Sequence, residues 1–386
     1  MSDNKYCSVC KKCSGCQLSN MDYERQLKYK QNEVRLRFAR LCKPEKILGC
    51  TSPLHYRNKA QFMFKKIKGR VYCGIYQSAD RTVVPTSNCA LHTKKQNTAG
   101  RILAELFESF KIEPYDFHKQ KGLVKSAIIR ESFHTGELMI VIVCDSHRPF
   151  PCPAPFAEAL SKKLPELSSL ILTKHKGNTL TAGESPKVIF GKEYITDKLS
   201  DMNFKISYNS FFQINPVQTQ VLYNTAIAMA ELNSRDTVLD AYSGTGTIGM
   251  ICAPHCQQVY SVEVNKNAVK DAIKNAKLNN ISNINAVCAD SEEYIKDLTD
   301  SETQITAAVL DPPRAGCSRS FLVSLADLAP RKIVYISCNI DTQVRDIRYL
   351  LKRGYKLEKV QGVDMFPYTK HIESIARLTL DKTTSK

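Results

Sequence analysis

The sequence predicts an α/β protein: an amino-terminal cysteine segment, a smaller α+β domain and a carboxyl-terminal doubly wound, Rossmann-like sheet. From residue 237 onward, β-branched apolar runs alternate with helical stretches, an order typical of a mostly parallel sheet. Gly244, Gly246 and Gly249 form G-x-G-x-x-G directly after the first run. We predict strands near 237–241, 258–263, 284–289, 307–311, 332–338, 356–363 and 373–380, and domains over 1–20, 21–205 and 206–386.

Bulk composition favours an intracellular protein with a polyanionic partner. Among 386 residues, 55 Lys and Arg oppose 38 Asp and Glu, a net charge of +17 that suits nucleic acid better than an inert basic protein. No run approaches the ~20 apolar residues of a membrane span, and the first residues lack an apolar signal core. We therefore expect a cytoplasmic monomer with no membrane partner. In a reducing compartment, its 15 cysteines indicate metal ligation or catalysis.

The amino terminus carries four closely spaced thiols. Cys7, Cys10, Cys13 and Cys16 follow one another at intervals of three residues. This run is similar to ferredoxin-type iron–sulfur spacing, whereas structural zinc sites separate their C-x2-C pairs by a longer loop. Iron–sulfur is favoured and zinc stays open. Cys89 is a candidate for a ligand from elsewhere in the chain.

Residues 21–41 predict a basic helix, because Leu27, Val34, Phe38 and Leu41 recur at helical spacing. Its cations form either a phosphate-contacting surface or a solvated face: Arg25, Lys28, Lys30, Arg35, Arg37 and Arg40.

Residues 55–66 interleave cations with aromatic residues, as single-stranded RNA binding requires. An exposed strand with alternating faces would give the same pattern. The remainder, to about residue 201, predicts short strands and helices without evident chemistry, which we interpret as scaffold and substrate platform.

In the carboxyl-terminal part, acidic residues fall at the ends of predicted strands. Glu263 ends the second strand, at the position that meets a ribose, and Asp290 ends the third, where it can receive an adenine amino group. This pattern serves NAD and S-adenosylmethionine equally, since both contain adenosine. Asp311-Pro312-Pro313 favours the methyl donor, because a rigid turn presenting a carboxylate and carbonyls to a planar base is not needed by dehydrogenases.

Cys338 supplies what carbon methylation of uracil requires. Position 5 becomes nucleophilic after a thiolate adds to carbon 6, and a base must afterwards remove the carbon 5 proton. Cys338 ends a predicted strand, and a helix starting near Asp341 is expected to lower its pKa. Glu373, at the start of the last strand, is the candidate base.

With these residues in view, nearly the whole chain resembles the RNA 5-methyluridine methyltransferases, the RumA/TrmA family. The matching motifs are Phe212-Gln213-Ile214-Asn215, residues 240–246, Asp311-Pro312-Pro313-Arg314, Ser337-Cys338-Asn339 and His371-Ile372-Glu373. The resemblance implies that Cys338 is the nucleophile and Glu373 the base. It also implies that the cofactor and target base are lined by Gln213, Tyr242, Gly244, Glu263, Asp290 and Asp311.

The resemblance extends to the cysteines. In the rRNA-modifying branch, C-x5-C-x2-C plus a later cysteine bind a [4Fe-4S] cluster, and this chain matches at Cys7, Cys13, Cys16 and Cys89. The cluster implies 23S rRNA as the RNA partner, with Cys10 against Cys89 left open as the fourth ligand. The alternatives are a tRNA T-loop uridine as the target, or a catalytically idle RNA-binding protein.

Overall fold

The computed structural model describes residues 7–77, 82–176, 182–301 and 303–381, which form two seven-stranded sheets and a hairpin. No helix in these ranges is both long and apolar enough to cross a bilayer. The architecture is the mixed α/β fold that the sequence predicts. The predicted domain boundaries at residues 20 and 205 stay a prediction.

The first sheet lies in the amino-terminal half and has the order β3-β2-β1-β4-β5-β6-β7. Its neighbouring strands are antiparallel except β5 and β6, which run parallel. Two helices, α2 (Lys94–Ser109) and α3 (Pro153–Lys163), share a core with it. The strands are β1 (Lys59–Ile67), β2 (Arg70–Gln77), β3 (Thr82–Pro85), β4 (Val124–Glu131), β5 (Leu138–Asp145), β6 (Leu167–His175) and β7 (Glu184–Gly191).

The other face of this sheet packs against the carboxyl-terminal half. Ile128 and Val141 share a core with Phe212 and with residues of the hairpin formed by β8 (Tyr194–Leu199) and β9 (Met202–Ser207). The two sheets are therefore joined by a common apolar core.

The second sheet has the order β12-β11-β10-β13-β14-β16-β15. Its first five strands are parallel, and β16 and β15 are antiparallel to their neighbours. The strands predicted from residue 237 onward are confirmed to within a residue at each end: β10 (Thr237–Ala241), β11 (Gln258–Glu263), β12 (Ile284–Cys288), β13 (Ala307–Leu310), β14 (Lys332–Ser337), β15 (Tyr355–Val363) and β16 (Glu373–Leu380).

Helices connect these strands and cover the sheet, as the strand–helix alternation predicts. Their buried faces belong to two cores that share residues with β10, β13 and β14. The helices are α4 (Pro216–Ala230), α5 (Thr247–Cys252), α6 (Lys266–Leu278), α7 (Ser291–Thr299), α8 (Arg319–Leu328) and α9 (Ile340–Leu351).

The basic helix is α1 (Tyr23–Phe38), which begins after the Asp22 N-cap. Its buried stripe is Gln26, Lys30, Val34 and Phe38, at intervals of four residues. For Lys30, both sequence-based alternatives, a phosphate-contacting surface and a solvated face, are wrong, because its side chain is buried. Its ammonium lies 2.6 Å from Asp364, and both side chains are fully buried.

Candidate active site

One cavity of about 800 Å3 lies at the carboxyl ends of the parallel strands, where open α/β sheets bind ligands. It has the size of a typical cofactor site. Polar side chains at or just after the ends of β10, β11, β12, β13 and β14 line it, and α4 and the start of β16 complete the wall. Every predicted catalytic and cofactor residue lines this cavity: Gln213, Tyr242, Gly244, Glu263, Asp290, Asp311, Cys338 and Glu373.

The glycine turn between β10 and α5 is held by buried carboxylates. Gly244 and Gly246 adopt left-handed φ values of +56° and +73°, which favour glycine. Asp240 accepts hydrogen bonds from the Gly249 amide at 2.9 Å and the Ser261 hydroxyl at 2.8 Å. A Cβ on Gly249 would lie 2.3 Å from Ser261 Oγ, so this position requires glycine.

Glu263 fixes the same turn from the neighbouring strand. One carboxylate oxygen accepts from the Gly244 amide at 3.0 Å, and the other accepts from the Asn265 amide at 2.8 Å. Asp290 caps α7 by accepting from the Glu292 amide at 2.8 Å. These contacts orient both acids at the cavity wall.

Tyr242, directly after β10, has a left-handed φ of +62°. Such a conformation is strained for a non-glycine residue and is concentrated at functional sites. Its ring contacts Phe321, with centroids 5.3 Å apart. Burial and the neighbouring Cys317 raise the pKa of the Tyr242 hydroxyl, which is therefore neutral and able to donate a hydrogen bond.

Cys338, Glu373 and Asp311 all line the cavity and are close enough to influence one another electrostatically. Burial, then the charges of Glu373 and Asp311, raise the pKa of the Cys338 thiol to about 11, and Arg314 opposes them. Burial and Asp311 raise the pKa of Glu373, which is 5% exposed, well above its usual range. Burial also raises the pKa of Asp311 to about 7. The thiol thus lies within the electrostatic reach of two carboxyl groups.

The expectation that the following helix lowers the Cys338 pKa is wrong. Helix α9 does begin at Ile340, but the side-chain oxygen of its N-cap Asn339 accepts a hydrogen bond from the Asp341 amide. Burial and then the charges of Glu373 and Asp311 raise the pKa of the thiol above its usual value instead.

The loop between β15 and β16 brings Phe366 and His371 into the cavity and leads directly to Glu373. Its backbone is bonded to distant parts of the chain. Lys30 Nζ donates to the Phe366 carbonyl at 3.0 Å, and the Tyr56 hydroxyl donates to the Pro367 carbonyl at 3.1 Å. Four further contacts are Gln26 Oε1 to the Tyr368 amide, Leu18 N to the Tyr368 carbonyl, Gln17 Oε1 to the Lys370 amide and Asn215 Nδ2 to the Met365 carbonyl.

The cysteine segment lies against this loop. Burial and then the thiol of Cys89 raise the pKa of Cys16 to about 12. Arg57 opposes this increase, and the thiols of Cys13 and Cys7 add smaller contributions to it. Cys16 and Cys89 also pack beside Tyr368. The four predicted cluster ligands, Cys7, Cys13, Cys16 and Cys89, are thus electrostatic neighbours. No group of three or more His, Cys, Asp or Glu side chains among the described residues is arranged to hold a single metal ion.

Several cavity residues were not singled out from the sequence. Tyr223, on α4, is 4% exposed and lines the cavity, with its hydroxyl hydrogen-bonded to Gln213 and its pKa raised by burial and then by Asp311. Nothing in an apolar helix marks it as a site residue. Arg314 and His371 did stand inside motifs, and their side chains approach to 3.5 Å at the cavity wall.

A family model described as tRNA (Uracil-5-)-methyltransferase matches residues 22–381. An RNA methyltransferase of Caldanaerobacter subterraneus subsp. tengcongensis is 38% identical over 97% of this chain and 83% of its own length. Another, from Clostridium tetani, is 37% identical over 97% and 82%.

Among solved structures, the chain is similar to Pyrococcus abyssi tRNA (uracil-54, C5)-methyltransferase in complex with S-adenosyl-L-homocysteine. The TM-score is 0.81, with 26% sequence identity, over 95% of this chain and 86% of that one. The match therefore includes both seven-stranded sheets. By family match, relatives and fold together, this chain is an RNA methyltransferase and belongs to the tRNA (uracil-5-)-methyltransferase family.

Proposed function

We propose that the protein transfers a methyl group from S-adenosylmethionine to carbon 5 of a uracil in RNA through a covalent adduct with Cys338. The observation that carries this proposal is that Cys338 and Glu373 line the same cavity at the strand ends and that Glu373 influences the Cys338 thiol electrostatically. Carbon methylation of uracil needs both a nucleophile at carbon 6 and a base for the carbon 5 proton.

The cavity suits the methyl donor. Glu263 and Asp290 offer carboxylates at the ends of β11 and β12, and the Gly244 turn allows close backbone approach. The complex of the Pyrococcus relative with S-adenosylhomocysteine supports the same ligand class here. The volume of about 800 Å3 leaves room for an extruded base. We assign Gln213, Tyr242, Gly244, Glu263, Asp290 and Asp311 to cofactor and base binding.

Each catalytic residue has one task. Cys338 adds to carbon 6 as the thiolate, which places electron density on carbon 5. After carbon 5 takes the methyl group, Glu373 removes the carbon 5 proton, and Cys338 leaves as carbon 6 regains its double bond. The raised pKa of Glu373 suits a base that must hold this proton. The positive charge of a methyl sulfonium would favour the Cys338 thiolate, which the ligand-free cavity disfavours.

The cysteine segment supports 23S rRNA as the substrate and a [4Fe-4S] cluster as a resident group. The proposed ligands are Cys7, Cys13, Cys16 and Cys89, whose thiols influence one another. A four-iron cluster binds each cysteine through a different iron, so its ligands need not converge on one point. When bound, it would link residues 7–16 to the loop at Cys89.

A tRNA T-loop uridine is the second candidate substrate. The family model is named for tRNA, and the similar Pyrococcus enzyme acts on uracil 54 of tRNA. That enzyme shares the fold over 95% of this chain, so the fold does not discriminate between the two RNAs.

Labelled S-adenosylmethionine with unmodified transcripts of 23S rRNA and of tRNA tests the proposal. We expect label in 5-methyluridine after nuclease digestion, and in the rRNA rather than the tRNA. Label in tRNA alone would support the second candidate. Label in another nucleoside would contradict uracil-C5 methylation. Label in neither RNA would also contradict it and would favour a catalytically idle RNA-binding protein.

A further inference from the structure

Two cations lie side by side on neighbouring strands of the first sheet. In the antiparallel pairing of β1 and β4, Lys59 is directly opposite Arg130. Residues in this relationship point to the same face of the sheet, where like charges destabilise the pairing. Neither side chain forms an ion pair within the part of the chain that the structure describes, and only one carbonyl contact to Arg130 is found.

The pair is partly removed from water. Arg130 is 6% exposed; one guanidinium nitrogen donates to the Ser210 carbonyl at 2.5 Å, and Nε is buried without a partner. Lys59 is partly exposed. Burial, then the charge of Arg130, lower the pKa of Lys59 to about 8. Two adjacent cations with a buried free donor are stabilised by an anion, which can approach from the side of Lys59.

The pair lies beside the candidate active site. Ser210, which accepts from Arg130, immediately precedes Phe211, Phe212 and Gln213 of the cavity wall. Asn58, next to Lys59, donates to the Gln213 carbonyl at 3.0 Å. Lys59 and Arg130 themselves do not line the cavity. An anion on the pair would therefore lie behind the segment that carries Gln213.

Arg57 does not belong to this pair, although it is two residues before Lys59. Burial lowers the pKa of the Arg57 guanidinium, but Tyr56 and then the thiols of Cys89 and Cys16 raise it, so that the net shift is upward. Arg57 therefore serves the cysteine segment, and among the residues that the structure describes no acidic side chain influences the pKa of Lys59 or Arg130.

We propose that Lys59 and Arg130 bind one phosphodiester of the RNA backbone adjacent to the target nucleotide. This inference rests on the proposed function, because it assumes an RNA whose uridine enters the cavity. Extruding a base rotates the backbone about its flanking phosphates, so a fixed phosphate next to the cavity sets the position of the extruded nucleotide. Arg130 provides a planar donor and Lys59 a point charge, two complementary modes of phosphate recognition.

The test uses Lys59→Gln, because no hydrogen bond or ion pair of the Lys59 side chain is found among the described residues. The control is Lys162→Gln on α3, an exposed residue that pairs with Glu158. The substrate is the transcript that the wild-type protein methylates. For Lys59→Gln we expect the KM for RNA to rise about tenfold and the slope of log affinity against log salt to fall by about 1. The KM for S-adenosylmethionine and all parameters of Lys162→Gln should stay unchanged.

A second arm locates the phosphate. Single methylphosphonates, which remove the charge, are placed at the phosphates flanking the target uridine and at one distant position. One flanking substitution should weaken wild-type binding by about tenfold or more and have a smaller effect in Lys59→Gln, because there the contact of Lys59 with that phosphate is already lost and only the contact of Arg130 remains. At the distant position the two effects should multiply.

Three results would overturn the proposal. They are an unchanged KM and salt slope in Lys59→Gln, multiplying effects at every flanking phosphate, or a rise in the KM for S-adenosylmethionine alone, which would assign the pair to the cofactor carboxylate. If wild-type protein methylates no RNA, the proposed function itself fails and this inference loses its premise.

Discussion

The Lys30 ammonium lies 2.6 Å from a carboxylate oxygen of Asp364, and both side chains are completely buried. The Tyr23 hydroxyl donates to the other oxygen at 2.9 Å, and Lys30 also reaches the Phe366 carbonyl. Helix α1 is thereby fixed to the loop that leads to Glu373. The two residues are 334 positions apart in the chain, so the amino-terminal region helps to shape a site built by the carboxyl-terminal sheet.

Replacing Lys30 by Met should strongly destabilise the protein, because it leaves the Asp364 carboxylate buried without its cation. The expected loss in the free energy of unfolding is about 3–5 kcal/mol. Lys28→Met, on the exposed side of the same helix, should change it by less than about 0.5 kcal/mol. Urea unfolding measures both. Equal effects in the two variants would show that the ion pair contributes nothing special.

Glu373→Gln should trap the reaction after methyl transfer. Cys338 can still add to the base, but no carboxylate removes the carbon 5 proton, so methylated RNA stays covalently bound. We expect turnover to fall about 10²–10⁴-fold and labelled protein–RNA complex to persist on a denaturing gel. Glu358→Gln, an exposed residue paired with Arg377, is the control and should turn over normally. Normal turnover by Glu373→Gln would remove Glu373 from the mechanism.

The reactivity of Cys338 should depend steeply on pH in the ligand-free protein. Since its thiol pKa is raised to about 11, the thiolate is scarce at neutral pH. Alkylation by iodoacetamide, followed by peptide mass spectrometry, should accelerate about tenfold per pH unit from pH ~7 to ~10. Glu373→Gln should alkylate faster at the alkaline end of this range, because it is the ionised Glu373 carboxylate that raises this pKa. A rate that levels off near neutral pH would contradict the raised pKa.

The proposed cluster ligands can be separated from Cys10 by single substitutions. After anaerobic reconstitution, Cys16→Ser and Cys89→Ser should lose iron and visible absorbance, whereas Cys10→Ser should keep both. Cys89 is the decisive position, since its thiol influences both Cys7 and Cys16. Iron retained by Cys89→Ser and lost by Cys10→Ser would exchange the fourth ligand. Zinc in place of iron would contradict the cluster.

The parallel sheet and its cavity could be predicted because the relevant signals are local. The parallel strands are short, mostly apolar runs, and Glu263, Asp290, Asp311 and Cys338 lie at or just after the ends of such runs. Carboxyl ends of parallel strands meet at one edge, so these residues share a cavity without further information.

Contacts between distant segments could not be predicted in the same way. The charge of Lys30 predicts a position on the exposed surface of α1, although its spacing of four residues from Val34 places it on the buried stripe. Its partner Asp364 has no signal of its own. The pKa of Cys338 was misjudged for a related reason, because the helix end is visible in the sequence, whereas the proximity of Glu373 and Asp311 is not. Tyr223 lies within an apolar helix, and no sequence motif marks it as a site residue.

The most direct test of uracil-C5 methylation through Cys338 uses the RNA transcript that the wild-type protein methylates. This transcript is prepared with 5-fluorouridine in place of the target uridine. Fluorine at carbon 5 cannot leave as a proton, so the adduct cannot resolve. With S-adenosylmethionine, wild-type protein should form a covalent complex on a denaturing gel, and Cys338→Ala should form none. No complex with wild-type protein, or an equal amount with Cys338→Ala, would contradict the proposed nucleophile.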